Sequence, residues 1–353
     1  MVAHLYPALF AVALWWAATG LILYLDGLRR ETFGWTFGGA TVLMVAALFG
    51  LHTSAQDTGI TGAYCAFTSA IFVWGWIEVS FLTGFITGPR RERCPDGARG
   101  WPRFRAAVAA ILWHELAILA GAVAVLSITA GAPNRIGAWT FLLLAVMRLS
   151  AKLNIFLGVR NLGESLLPAH LRYLESYFRR RPMNALFPFS VVGAVVLFAW
   201  LVAQAIDAEV AAAAGYTLLA ALVALAILEH AFMVAPIPPE AMWRWSLASR
   251  DGADDGTSSV STWKSGMLAD CDPEVLEQVL GDVARGDYGQ VLSLRGVLRS
   301  GSGWVRLDLT EGKPVLRPIV PRGMERPVIV AIGRTLDHSR LQAAFAACAL
   351  RAA

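Results

Sequence analysis

Seven runs of predominantly apolar residues dominate the first 235 positions of the chain. A helix needs about 20 such residues to cross a hydrocarbon core of about 30 Å. The pattern therefore predicts an all-α polytopic membrane domain with about seven transmembrane helices. The runs lie at 5–25, 33–53, 62–87, 106–130, 136–156, 187–206 and 212–235.

The distribution of arginine between these runs predicts how the chain is oriented. The first connection carries two arginines, the third carries six and the fifth carries five, whereas the second and sixth carry no Lys or Arg and the fourth has only Arg135. Because basic loops remain in the cytoplasm, the sequence predicts a periplasmic N-terminus and a cytoplasmic C-terminus. The fifth connection also contains LLPAHLRYLESYFRRRP, which predicts an amphipathic helix lying at the membrane interface.

A change of composition after the last run predicts a second, soluble domain. The segment RDGADDGTSSVST is typical of a linker. Beyond it, Asp272 and Pro273 form a helix-start signal, three strand-like runs follow (QVLSLRGVL, GWVRLDLT and PVIVAIGR), and a last helix is predicted over 338–350. We therefore predict a membrane domain over 1–247, a linker over 248–265 and a small α+β cytoplasmic domain over 266–353.

Composition narrows the class of protein. Hydrophobic residues make up 56% of the chain and charged residues 16%, and the mean hydropathy is +0.54, so most of the protein contacts membrane lipid. The net charge of +4 is explained by the loop arginines, and we expect no nucleic-acid partner. The four cysteines show no CxxC spacing, and the sequence contains no Walker A, GxSxG, HExxH or GxGxxG motif.

Ionisable side chains inside the predicted spans are the candidates for function, because such groups are costly in hydrocarbon and need a partner or a purpose. Four of them, Glu78, His114, Lys152 and His230, share a layer roughly 9 to 16 Å from the arginine-rich ends of their helices, at about 1.5 Å per residue. The full set is Glu78, His114, Glu115, Arg148, Lys152, Asn154, Glu229 and His230.

Three interpretations of this layer stay open at the level of sequence. Carboxylates and imidazoles suit iron, zinc or manganese, with Glu78, His114, Glu115, Glu229 and His230 as ligands. Alternatively, the carboxylates neutralise Lys152 and Arg148 in a buried charge network. A pigment or quinone site is the third, with His52 and Asn154 as cofactor contacts and walls formed by Trp74, Gly75, Trp76 and Trp113.

Four longer motifs carry a family resemblance over about residues 1–247: WGWIEVSFLTGFITGPRR, FRAAVAAILWHELAI, KLNIFLGVRNLGESLLPAHLRYLESYF and LEHAFMVAPI. Together they resemble the PuhE family of photosynthetic complex assembly proteins. The resemblance implies a role in bacteriochlorophyll supply or in the assembly of reaction-centre and light-harvesting complexes in the bacterial cytoplasmic membrane. The family's polar motifs map to Glu78, His114, Glu115, Lys152, Asn154, Asn161, Glu229 and His230.

The C-terminal segments YGQVLSLRGVLRSGSGWVRLDL and RPVIVAIGRTLDHSRLQAAFAAC resemble the C-terminal domain of CobW-type metal-handling GTPases. The phosphate loop and the cysteine motif of those GTPases are missing from this sequence. The resemblance therefore implies a docking module for a metallochaperone or chelatase partner, and no GTP hydrolysis.

Two functional hypotheses follow. The first is a non-enzymatic assembly factor that holds pigment, pigment-synthesis enzymes or photosynthetic complex subunits at the membrane. The second is a membrane metalloenzyme that acts as an oxidoreductase of bacteriochlorophyll biosynthesis. This hypothesis requires the five predicted metal ligands to lie within a few ångströms of one another. The candidate cofactors are a divalent metal (iron, zinc or manganese) or bacteriochlorophyll.

Overall fold

The computed structural model describes residues 2–235, 243, 246, 247, 249, 260–266, 270–301, 303–310, 313–319 and 327–348. The chain divides into two compact units, Met1–Ala253 and Asp254–Ala353. The first unit is helical and the second is built on an antiparallel sheet, which confirms the predicted fold class.

Seven helices of the first unit are long and apolar enough to cross a membrane, as predicted. The third helix ends five residues before the predicted end of its run, and the fourth begins six residues earlier than predicted. The helices are α1 (Val2–Asp26), α2 (Phe33–Ser54), α3 (Ile60–Leu82), α4 (Gly100–Ile128), α5 (Ile136–Leu157), α6 (Leu186–Asp207) and α7 (Val210–Phe232).

Helices α3 and α7 form the centre of the bundle. The interior buries 72% of the apolar window of α3 and 67% of that of α7, against 11–22% for the other five helices. Small residues let the neighbouring helices approach, as at Gly137, where an added Cβ would lie 2.3 Å from Cδ2 of Leu51. Helices that are apolar on all sides suit such a central position.

The segment after α3 leaves the helical path but stays inside the bundle. Gly84 adopts a φ of +84°, and Thr87 and Gly88 are then buried against α4. The backbone N–H of His114 donates to the carbonyl of Thr87 at 3.0 Å, and an added Cβ at Gly88 would lie 2.2 Å from the carbonyl oxygen of Ala109. Irregular backbone is tolerated at membrane depth where protein buries it.

The connection between α5 and α6 differs from its prediction. Ala169–Tyr177 form a 3₁₀ helix, preceded by a short one at Glu164–Leu166. Its apolar residues Leu171, Leu174 and Tyr177 are buried together with Phe81 and Ala110. The segment is therefore a 3₁₀ helix rather than a regular α-helix, and its apolar side packs against protein.

The described part of the second unit contains five strands and two helices. The strands are β1 (Val260–Gly266), β2 (Gln290–Ser300), β3 (Gly303–Thr310), β4 (Lys313–Ile319) and β5 (Val328–Arg334), in the antiparallel order β1-β5-β2-β3-β4. Helices α8 (Pro273–Arg285) and α9 (His338–Ala347) share a hydrophobic core with one face of this sheet. The helix-start prediction is confirmed, because the Asp272 carboxylate accepts from the backbone N–H groups of Glu274 and Val275.

Two strands were missed by the sequence analysis. β4 contains two prolines, which weaken the strand pattern, and β1 begins at Val260, inside the predicted linker. Trp263 of β1 is buried in the domain core, so the end of the predicted linker belongs to the sheet. Residues 250–259 of the predicted linker lie outside the described residues.

Candidate functional site

A cavity of about 420 Å³ lies at the arginine-rich end of the helical unit, meaning the end that carries the α1–α2, α3–α4 and α5–α6 connections. Its walls come from the ends of α1, α3, α5 and α7, the start of α4 and the segment 161–178. A volume of this size lies within the roughly 300–1,000 Å³ typical of small-molecule sites. A smaller pocket of about 30 Å³ shares Trp15, Leu144 and Glu229 with it and lies between α1, α5 and α7.

The cavity wall is mainly apolar. Trp15 and Trp243 meet edge to face, with ring centroids 5.6 Å apart, and Gly75 leaves open space between α3 and α1. Aromatic surfaces of this kind bind flat or chain-like apolar groups. The aromatic lining residues are Trp15, Trp74, Phe81, Phe156, Tyr177, Phe178, Phe232 and Trp243.

Four of the sequence-predicted charged residues line this cavity: Glu78, Arg148, Lys152 and Glu229. Nη2 of Arg148 donates to Oε2 of Glu78 at 2.8 Å. Nζ of Lys152 donates to Oε1 of Glu115 at 2.6 Å. The layer therefore contains two cross-helix charge pairs, α3 to α5 and α4 to α5.

Glu229 is the third carboxylate of the layer. Its side chain lines the same cavity as Arg148 and Glu78 and forms no salt bridge with a described residue. The layer therefore contains two basic groups, Arg148 and Lys152, and three carboxylates, those of Glu78, Glu115 and Glu229. This balance disfavours an anionic ligand and favours an uncharged one that offers or accepts hydrogen bonds.

Hydrogen bonds close the end of the cavity around Asn161 and Tyr177. Nδ2 of Asn161 donates to the carbonyl oxygens of Phe232, at 2.7 Å, and Ala235, which caps the end of α7. The Tyr177 hydroxyl accepts from Nε of Arg90 and donates to the carbonyl of Glu92, both at 3.0 Å. Tyr177 was missed by the sequence analysis, since a single Tyr in an amphipathic stretch carries no distinguishing signal.

His230 and Asn154 belong to a polar network that joins α5, α6 and α7. Nε2 of His230 lies 2.9 Å from Oγ of Ser150, and its Nδ1 lies 2.8 Å from the carbonyl of Ala226. Nδ2 of Asn154 donates to Oγ of Ser190 at 3.0 Å, and its Oδ1 accepts from Nδ2 of Asn184 at 3.0 Å. These bonds occupy the polar atoms of both residues, so the two side chains hold the helices together.

His114 is enclosed beside the cavity rather than opening into it. It is fully buried, with its ring centroid 4.3 Å from that of Phe81, and neither of its ring nitrogens has a hydrogen-bond partner among the described residues. His114, one of the predicted metal ligands, is absent from the cavity lining.

The predicted metal centre is not formed by its five proposed ligands. Throughout the described ranges, no three His, Cys, Asp or Glu side chains are grouped to hold a metal ion. The physical reason is that Glu78 and Glu115 are paired with bases and His230 is hydrogen-bonded to Ser150. The five side chains are therefore held apart by other contacts in this structure.

His52, the other predicted cofactor contact, is exposed on α2 and does not line the cavity. Among the predicted wall residues, Trp74 and Gly75 line the cavity, whereas Trp113 is 48% exposed on α4. The helical pattern of these runs is apolar on all sides, so it could not indicate which side faces inward.

The two cysteines of the C-terminal unit are unsuited to metal binding. Burial raises the pKa of the Cys271 thiol to about 12 and that of the Cys348 thiol to about 11. Because the thiolate is the form that binds metals, these neutral thiols act as core side chains.

Comparison with known proteins places the helical unit in a family. Residues 1–254 match the family model described as "Protein of unknown function (DUF3623)". A protein of Rhodobacter capsulatus, described as an uncharacterised 30.4 kDa protein in the puhA 5' region, is 39% identical over 250 residues, which cover 69% of this chain and 90% of that protein.

Solved structures similar to part of the chain include the Zn(II)-bound YjiA GTPase from E. coli, at 17% identity and a TM-score of 0.25. A Zn(II)-bound triple mutant of YjiA matches at 18% identity with the same TM-score. Each match covers 29% of this chain and 32% of the GTPase, so the chain spans about a third of that protein's length. The match over residues 1–254 and the 39% identity show that the chain belongs to the DUF3623 family.

Proposed function

We propose that the protein is a membrane-embedded assembly factor for photosynthetic complexes, which holds an amphipathic pigment or pigment precursor in its cavity. The observation that carries this proposal is the cavity itself, with aromatic walls and a paired, nearly neutral set of charges. Such a site binds an apolar body through its walls and orients a polar head through Arg148 and Glu229.

The family relationship supports the photosynthetic setting. The relative from Rhodobacter capsulatus is described by its position in the puhA 5' region, which belongs to a photosynthesis operon. The sequence motifs that resemble the PuhE assembly proteins include Glu78, Lys152, Asn161 and Glu229, all of which line the cavity. Bacteriochlorophyll supply and complex assembly both require a protein that handles amphipathic molecules in the membrane.

The proposed location is the bacterial cytoplasmic membrane, with the arginine-rich end in the cytoplasm. Partners at that end are photosynthetic complex subunits or pigment-synthesis enzymes. The C-terminal unit, through its resemblance to the CobW C-terminal domain, would recruit a metallochaperone or chelatase. We propose no catalytic step, since the cavity residues are arranged to bind and orient.

The proposal is tested in a phototrophic bacterium that carries this gene. Deleting the gene should lower the absorbance of reaction-centre and light-harvesting complexes relative to total membrane protein. The deletion strain is complemented with the unmodified gene or with a gene that carries Gly75→Phe. Gly75 lines the cavity, and an added Cβ there has only Cδ1 of Ile22 within 4 Å, at 3.9 Å, so the phenylalanine ring would occupy the cavity.

The matched control is Gly39→Phe on α2, where an added Cβ meets nothing within 4 Å. Immunoblots of the membranes establish that both variants accumulate. The proposal predicts that Gly39→Phe restores the complexes and Gly75→Phe does not. Unchanged complexes after deletion would refute the assembly function, and full rescue by Gly75→Phe would refute the role of the cavity.

A further inference from the structure

One face of the C-terminal sheet is not covered by any described helix and is strongly basic. Arg295 of β2 pairs with Asp308 of β3 on one side and with Val330 of β5 on the other, and Val330 pairs with Lys264 of β1. Arg306 pairs with Val297 and with Arg317. Directly paired residues of an antiparallel sheet share a face, and so do alternate residues of one strand. Five of the basic side chains that the structure describes therefore lie on this side. We call it the basic face: Lys264, Arg295, Arg299, Arg306 and Arg317, all of them exposed.

Few acidic groups neutralise the basic face. Nε of Arg295 lies 3.6 Å from Oδ1 of Asp308, and Nε of Arg299 lies 3.0 Å from Oδ1 of Asp270. Exposed pairs of this kind contribute little stability and exchange readily with other anions. Lys264, Arg306 and Arg317 form no salt bridge with any described residue, so three exposed cations of this face have no anionic partner among the described side chains.

The opposite face of the sheet has a different character. It is covered by α8 and α9, whose Leu276, Leu280 and Phe345 contribute to the buried core. The exposed side of α8 carries Glu274 and Glu277. The two sides of the domain therefore differ in charge: the helical side carries both acidic residues and the arginines Arg285 and Arg340, whereas the described charges on the sheet face are mainly basic.

Apolar side chains interleave with the cations. Ile332 is 39% exposed and Val315 is 41% exposed, and both share the face with the basic residues through their strand pairings. A surface that combines basic and modestly apolar groups matches the headgroup region of a membrane, which offers anionic phosphates above an apolar layer.

The chain itself keeps this domain near a membrane. Ser249 donates to the carbonyl of Tyr24, in the last turn of α1, at 3.0 Å, and only residues 250–259 separate it from Val260 of β1. A fully extended chain of that length reaches at most about 40 Å. Tethering of this kind raises the effective concentration of lipid headgroups at the domain far above that of any diffusing partner.

We propose that the basic face docks onto anionic phospholipid headgroups of the membrane in which the helical unit is embedded. A basic residue near an anionic membrane surface contributes about 1 kcal/mol, or about fivefold in binding. Removing two of the cations should therefore weaken docking roughly 25-fold. The attraction requires anionic lipid and should be lost in salt, because the Debye length falls to about 3 Å at 1 M.

The experiment uses the full-length chain in nanodiscs of phosphatidylcholine alone, or of equal parts phosphatidylcholine and phosphatidylglycerol. Lys264 on the basic face is the reporter, and its rate of acetylation is measured by mass spectrometry. A second reporter is introduced by Gln342→Lys on the exposed side of α9. The ratio of the two rates cancels any general effect of the lipid charge on the reagent.

The test variant is Arg306→Gln with Arg317→Gln on the basic face. The matched control, Arg285→Gln with Arg340→Gln, removes the same charge from α8 and α9. We expect phosphatidylglycerol to slow acetylation of Lys264 several-fold relative to the α9 reporter. The control should keep this protection, whereas the test variant and 1 M salt should abolish it.

Equal rate ratios in the two lipids would overturn the proposal, and so would equal loss of protection in the test and control variants. Protection that appears only after addition of a nucleic acid, or of an acidic protein, would assign the basic face to that partner instead. Thermal unfolding of both double variants, measured in the same nanodiscs, shows whether the sheet remains folded.

Discussion

Glu78 and Arg148 connect α3 to α5 through one hydrogen-bonded ion pair in a largely apolar surrounding. The Glu78 side chain is only 9% exposed, whereas Arg148 is 39% exposed along the cavity. Removing one partner of a buried pair leaves the other charge without compensation, which costs more than the pair itself contributes. The pair therefore holds α3 and α5 together and leaves the other guanidinium N–H groups of Arg148 facing the cavity.

Arg148→Met should lower the free energy of unfolding by about 3 kcal/mol, at the low end of the range for buried pairs because Arg148 borders the cavity. The double variant Glu78→Met, Arg148→Met should recover most of that loss. The measurement is thermal unfolding in detergent, with Arg30→Met in an exposed loop as the control for charge removal. If the double variant is less stable than the single one, the pairing account is wrong.

Substitutions at His114 and at His230 should have opposite effects on stability, although both side chains are buried. His114→Leu removes two unpartnered ring nitrogens, so stability should stay equal or rise by about 1 kcal/mol. His230→Leu breaks contacts with Ser150 and Ala226 and should cost about 1–2 kcal/mol. The same unfolding assay compares the two variants. A large loss of stability, or of a bound metal, on changing His114 would contradict the structural assignment.

The sequence was sufficient to select the residues of this layer but not their partners. Polar side chains in apolar runs stand out, and helix length fixes their depth. Whether Glu115 pairs with Lys152 or helps bind a metal depends on how α4 and α5 are rotated about their axes. Runs that are apolar all round contain no information on that rotation.

At the level of elements, the segment 83–90 supports the end of α3 and one side of α4. Gly88→Ala should destabilise the protein by about 1–3 kcal/mol, because the new Cβ would fall 2.2 Å from the carbonyl oxygen of Ala109. Gly39→Ala, with nothing within 4 Å, serves as the control and should be neutral or slightly stabilising. Equal melting temperatures for both variants would show that segment 83–90 is not packed as described.

The same segment shows why one helix end was predicted wrongly. Residues 83–87 continue the apolar run of α3, and hydropathy alone cannot distinguish a helical turn from buried irregular backbone. The helix ends at Leu82 because Gly84 adopts a positive φ, and hydrogen bonds to Ser80 and His114 then satisfy the backbone of the segment. The seven helices themselves were predictable because span length is fixed by the membrane.

At the scale of the whole molecule, the C-terminal unit should respond to pH through its two buried thiols. The folded pKa values of Cys271, about 12, and Cys348, about 11, lie above the value of about 8.5 for an exposed thiol. Their contribution to stability is therefore complete below about pH 8.5 and is lost as the pH rises through the folded values.

Alkylation of the full-length chain with iodoacetamide at pH 8 should leave Cys271 and Cys348 unmodified while half-buried Cys94 reacts. Raising the pH from 8 to 10.5 should expose both thiols together as the domain loses stability. Mass spectrometry of peptides measures the modified fraction. Reaction of Cys271 at the rate of Cys94 at pH 8 would contradict the buried, neutral assignment.

The central claim is that the cavity holds an amphipathic pigment-type molecule, and the most direct test is to identify its occupant. The protein is purified from membranes of a phototrophic host, and its absorption spectrum and released small molecules are measured for the unmodified chain, Gly75→Phe and Gly39→Phe. The account predicts near-stoichiometric pigment or pigment precursor in the unmodified chain and Gly39→Phe, and its loss in Gly75→Phe. Equal content in all three proteins, or release of bulk phospholipid and detergent only, would contradict it.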